Sequence, residues 1–142
     1  MSEIGSGPEP LERALERADR WLDADRPAEA ERELRQALTM APDDPHVRFE
    51  LARALIALER WEEAEEHVDA GLSVYPESAF GFGLLGLIQK EQGRNSEAEA
   101  NLLEGLRIDP TEPFLYVAYG QLMLVTGHLD RSERLVTSIS CP

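Results

Sequence analysis

The sequence predicts an all-α chain: about eight antiparallel helices, paired into hairpins and stacked one pair on the next. Three observations predict it. Prolines recur at Pro42, Pro76 and Pro110, 34 residues apart each time. A column of small residues keeps the same interval: Ala30, Ala64, Ala98 and Ser132. Behind it run Leu34, Val68, Leu102 and Val136, then Ala37, Gly71, Gly105 and Ile139. Offsets of four and three place these residues on one face of a helix, whereas a strand alternates by two.

The interval divides the chain into units 11–44, 45–78, 79–112 and a partial 113–142, preceded by a flexible segment, 1–10. Each unit begins with one helix: Pro10–Ala24, Pro45–Leu58, Ala79–Gln92 and Pro113–Thr126. Pro45 and Pro113 suit a first helical turn, where a missing N–H is harmless, and Asp44 is placed to cap. Gly93 and Gly127 fall where a left-handed residue ends the first helix of a pair. Asp25 and Glu59 hold that position in the first two units, and Glu tolerates it less well, so the second turn is expected to be less regular. The second helices follow as Pro27–Met40, Trp61–Val74, Ser96–Ile108 and Leu129–Ser140. Ser96 and Glu99 have the spacing of a capping box.

This unit resembles the tetratricopeptide repeat. The resemblance runs from Leu11 to the end and rests on the first-helix signature as well as the interval. The third unit offers Phe82, Leu85 and Gly86, and the fourth Tyr116, Tyr119, Gly120 and Met123. The second has Leu51, Ala52 and Leu55, with Arg48 in place of the first large residue. The first is the most divergent (Ala14, Arg17, Ala18, Trp21), as befits an end-capping repeat. The resemblance implies a right-handed superhelical solenoid whose first helices line a concave groove. It also implies a non-enzymatic scaffold that binds another protein or a peptide there.

Assigned through the resemblance, the groove columns are acidic at the N-terminal end, with Glu12, Glu16, Asp19 and Glu50. They turn apolar further on, with Phe49, Ile56, Phe80, Leu84, Leu87, Phe114, Val117 and Leu124. An exposed apolar run of this kind marks an interaction surface, so the expected occupant is an apolar, partly basic peptide or helix. Packing against missing chain or a twin subunit is the competing account of the same residues. Gly83 faces this groove; it reads either as a notch for a partner side chain or as a drifted position in a soft helix. One subfamily clamps chaperone-tail carboxylates with Lys, Asn and Arg in these columns. Here they hold Leu15, Asp19, Glu50, Phe80 and Leu84, so that use is excluded.

Charge narrows the partners further. With 28 acidic against 14 basic residues the net charge is −14, which repels nucleic acid and anionic lipid. The longest apolar stretch, Phe114–Val125, is too short to span a bilayer, and the N-terminus lacks a signal-peptide pattern. A cytoplasmic protein is expected, and the arginine- and alanine-rich composition suggests a bacterial one. No cofactor and no metal is expected. His46, His67 and His128 are dispersed, Glu63–His67 reads as a solvated pair, and the lone Cys141 has no basic neighbour. The ending leaves Leu135, Val136 and Ile139 uncovered by any later helix. That suggests an assembly module cut from a larger, possibly membrane-anchored protein, a homodimer through the apolar end, or partner cover. A small bacterial secretion chaperone is a further alternative.

Overall fold

The computed structural model describes residues 10–127, in which every regular element is an α-helix. In order these are α1 (Pro10–Asp23), α2 (Pro27–Met40), α3 (Pro45–Ala57), α4 (Trp61–Val74), α5 (Ala79–Glu91), α6 (Asn95–Ile108) and α7 (Pro113–Thr126). The expected boundaries fall within a residue of these. The eighth expected helix lies outside the described residues, as do His128, Cys141 and the apolar end around Leu135, Val136 and Ile139. The chain forms two compact units, Met1–Pro76 and Glu77–Pro142.

In the first unit α1 packs on α2, α2 on α3, and α3 on α4, with α1 also touching α3. The period-setting residues are what they bury. Ala30, Leu34 and Ala37 of α2 and Ala64, Val68 and Gly71 of α4 are all inaccessible to solvent. Ala14, Ala37 and Val47 form one cluster, flanked by Leu11, Leu15 and Leu38. Small side chains at 30 and 64 let helix axes approach, and the large ones fill the gap behind them.

The second unit carries α5 to α7. Ala98, Leu102 and Leu106 of α6 pack with Leu115, Ala118, Tyr119, Leu122 and Met123 of α7. Ser78 caps α5, its Oγ accepting from the Gly81 N–H at 2.9 Å.

The hairpin turns share one hydrogen-bond scheme. Arg26, Arg60 and Arg94 donate their N–H to the carbonyls of Trp21, Leu55 and Gln89 at 2.8, 2.9 and 2.8 Å. Asp25, Glu59 and Gly93 donate to Leu22, Ile56 and Lys90 at 3.0, 2.9 and 3.0 Å. This pair of bonds closes a helix over one left-handed residue. The left-handed φ values are 59°, 60° and 76°. The second turn is therefore as regular as the first, contrary to expectation. The two bonds dictate φ, and Glu59 accepts a local strain of about 1–2 kcal/mol.

Caps follow expectation at α3, where Asp44 Oδ1 accepts from the His46 and Val47 N–H groups at 2.8 and 3.4 Å. They depart from it at α6. The Arg94–Gln89 bond fixes Arg94 as the boundary residue, so Ser96 already lies inside the helix and no capping box forms. Glu99 instead accepts from the Tyr119 hydroxyl at 2.9 Å, tying α6 to α7.

Candidate functional site

In the first unit α1 and α3 bring five groove-column residues together. Leu15, Glu16 and Asp19 from α1 and His46 and Glu50 from α3 line a cleft of about 320 Å³. Their spacing along each helix, at offsets of one, three and four, sets them on adjoining flanks. Arg53 spans the cleft edge, with one nitrogen 3.1 Å from Glu50 Oε1 and another 3.3 Å from Asp19 Oδ1. One guanidinium thus pairs with two of the cleft's three carboxylates, and the cleft stays net negative. Burial pushes the Glu50 carboxyl up from its ordinary range, more strongly than Arg53 and His46 pull it down. Glu12 is exposed on α1, and Ile56 is half-buried on α3.

Three expected groove residues are core instead. Phe49 is 3% exposed. Its ring lies over Gly71, close enough that a Cβ there would meet it at 2.5 Å. Leu84 is 1% exposed, so it has no surface to offer a partner. Gly83 is buried and is no notch: a Cβ there would meet the Phe114 ring at 2.5 Å and Leu115 at 2.7 Å. The space is filled from within the same unit, which gives Gly83 the packing reason that its sequence position does not reveal.

The remaining expected residues of the second unit form a graded surface. Phe80 and Phe114 are half-buried, their ring centroids 6.2 Å apart and planes tilted by 57°. Leu87 is half-buried on α5. On α7, Val117, Leu124 and Val125 are 60%, 66% and 68% exposed. Lys90 crosses from α5 to the Gln121 side chain of α7 at 3.2 Å.

Sequence reasoning missed an arginine column. Arg26, Arg60 and Arg94 each precede a second helix and pair with the carboxylate three residues on: Glu29, Glu63 and Glu97. The 34-residue interval of Arg-x-x-Glu was the available signal. In the first unit it closes a ring. Arg35 bonds Glu31 and Glu63, and Arg60 bonds the same two carboxylates at 2.8 and 2.7 Å. The hydrogen bonds from Arg60 and then Arg35 hold the Glu63 carboxyl below its ordinary range. Glu63 is therefore engaged away from His67, and the two are not the expected solvated pair. Among the described residues no cluster of three or more His, Cys, Asp and Glu is placed to hold a metal. Nor is any described helix long and apolar enough to cross a membrane.

Comparison with known proteins places these features. Two sequence profiles of the tetratricopeptide repeat match, at residues 22–85 and 82–112, together more than half of the chain. The chain resembles the thermophilic TPR protein TTC0263 of Thermus thermophilus, with 20% identity and a TM-score of 0.81 over 91% of this chain and 72% of that one. It is similar to the Sgt2 TPR domain from Aspergillus fumigatus, at 18% identity and a TM-score of 0.76, covering 89% and 86%. It is also similar to the first TPR of Spaghetti (RPAP3) bound to the HSP90 peptide SRMEEVD, at 13% identity and a TM-score of 0.74, covering 87% and 98%. No curated protein sequence matches.

Proposed function

The chain belongs to the tetratricopeptide-repeat family, and on that premise we propose that it is a non-enzymatic scaffold docking a basic, apolar-anchored segment of another protein. The observation that carries this reading is the cleft of Leu15, Glu16, Asp19, His46 and Glu50. Its three carboxylates attract a lysine or arginine, and the Leu15 side chain offers apolar contact beside them. Charge-assisted bonds to a half-buried carboxylate are among the stronger polar contacts a groove can make. A relative in this fold was solved with an acid-tailed peptide. The cleft here has the opposite charge preference, so the proposed partner differs from that one in sign.

The test is calorimetric titration of the full chain with a short peptide of lysines around a Leu-Leu pair. An Asp-substituted version of the same peptide is the comparison. Saturable binding of the basic peptide, weakened about tenfold by Asp19→Asn combined with Glu16→Gln, is the expected outcome. Equal binding of the acidic peptide, or indifference to the substitutions, overturns the reading.

A second reading concerns the exposed Val117, Leu124 and Val125. They favour an assembly contact, homodimeric or within a larger protein. Light scattering across a concentration series tests it, with a rise in mass that Leu124→Glu suppresses as the expected result.

A further inference from the structure

On its other flank α1 carries a different surface. Arg13, Arg17, Arg20 and Ala24 follow one another at offsets of four, three and four, a single helical stripe, with Trp21 beside it. Arg17, Arg20, Trp21 and Ala24 line a hollow of about 320 Å³. The stripe is unusual in a chain of net charge −14. Arg17 is held by Glu33 at 3.0 Å, and Arg26 lies over the Trp21 ring at 5.1 Å while bonding Glu29. Arg20 is exposed, and among the described residues no carboxylate holds it. In the later units the column of Trp21 holds Leu55, Gln89 and Met123, all buried. Trp21 alone of the four is only half-buried, and it is also the largest.

We propose that the Trp21 hollow is a second docking site, one that takes an acidic segment of a partner protein carrying an apolar side chain. The chemistry follows from the lining. The hollow is walled by the indole, the Ala24 methyl and the alkyl stems of two arginines, which suits one apolar side chain. The guanidinium of Arg20 stands ready at its rim to bind a flanking carboxylate with two parallel N–H donors. This site asks for the opposite charge from the Glu50 cleft, so a partner with both kinds of segment would be read on both flanks of one helix.

The experiment uses the full chain with Trp61→Phe, leaving Trp21 the sole indole reporter. The probe is a fluorescein-labelled peptide of glutamates around a central Leu-Phe pair. Saturable anisotropy, a matching change in Trp21 emission, and at least a tenfold loss of affinity in Arg20→Glu are expected. Trp21→Ala, read by anisotropy alone and checked for helicity by circular dichroism, should lose affinity to the same degree. Absence of saturable binding overturns the proposal, as does affinity unchanged by both substitutions. A rise in mass with concentration that Arg20→Glu abolishes also overturns it, because the occupant is then a second copy of this acidic chain.

Discussion

The Arg48 guanidinium lies 3.0 Å from His67 Nδ1, joining α3 to α4 across a position that the repeat signature reserves for a large apolar residue. Its other terminal nitrogen donates to the Pro42 carbonyl at 3.1 Å. Two units later Tyr116 stands in the same column, and its hydroxyl donates to the Pro110 carbonyl at 2.7 Å. Arginine and tyrosine here do one job: each reaches back six residues to hold the carbonyl of the period-setting proline. The departure of Arg48 from the family pattern is chemical rather than structural. Arg48→Ala should destabilise the fold by about 1 kcal/mol, the usual worth of such a bond, and Arg48→Tyr by much less. Urea denaturation of both variants checks this.

The same contact sets a pH dependence. Burial lowers the proton affinity of His67, and the charge of Arg48 lowers it further. The unfolded chain therefore takes up a proton on this histidine before the native one does. Stability from His67 is complete above its ordinary value of about 6.5, and it is lost as pH falls from there through the lowered native value. His67→Gln should flatten the fall in urea midpoint between about pH 6.5 and 5. An unchanged slope in that variant would assign the acid sensitivity elsewhere.

Gly83→Ala should destabilise by about 1–3 kcal/mol, because the added methyl meets the Phe114 ring and Leu115 in a filled core. Gly93→Ala should cost about 1 kcal/mol for a different reason. Nothing lies within 4 Å of its added Cβ, but its φ of 76° disfavours any side chain. Combining each with Phe114→Leu separates the two mechanisms. The smaller side chain should relieve the Gly83 variant and leave the Gly93 variant untouched, as read in denaturant midpoints.

These glycines also mark how far the sequence could be read. The 34-residue interval dictates which columns are small, and that suffices to place the helices, because helix boundaries depend on local chemistry such as Asp44 or Pro113. It does not say which neighbour enters the space. Gly71 admits Phe49 and Gly83 admits Phe114. Column position therefore assigned Phe49 and Gly83 to a groove, whereas packing puts both in the core. The acidic cleft was legible because Glu16, Asp19 and Glu50 are charged and must stay near solvent wherever the column lies. The bridging of Asp19 and Glu50 by Arg53 was not, since it depends on a rotamer of a long side chain.

The ring of Glu31, Arg35, Glu63 and Arg60 should matter most at low salt, because its members are partly exposed and their attraction is screened. Glu63→Gln should lower Tm in dilute buffer, and the difference should shrink at high salt. The Glu63 carboxyl is held below its ordinary value of 4.5, so its contribution is present above that pH and fades as pH falls through the lowered native value. A Tm difference independent of both salt and pH would mean that the ring acts through packing of the arginine stems.

Glu50 turns proton uptake into an opposition between stability and binding. Burial raises its carboxyl above the ordinary 4.5, so the native state holds this proton more tightly than the unfolded one. Its contribution to stability is complete below 4.5 and is lost as pH rises through the raised native value. Binding of a basic segment needs the ionised form and should run the other way, weakening as pH falls through that same value. Glu16, Asp19 and His46 line the same cleft, and Arg53 bonds Glu50 and Asp19 at its edge. Glu50→Gln imitates the protonated state. It should be at least as stable as the natural chain at neutral pH, yet bind a lysine-rich peptide about tenfold more weakly. Its affinity should also vary less as pH falls from 7, because glutamine has no proton to gain. Calorimetric titration at several pH values, with urea melts in the same buffers, measures both sides. Matching pH profiles for the variant and the natural chain would remove Glu50 from the cleft's chemistry.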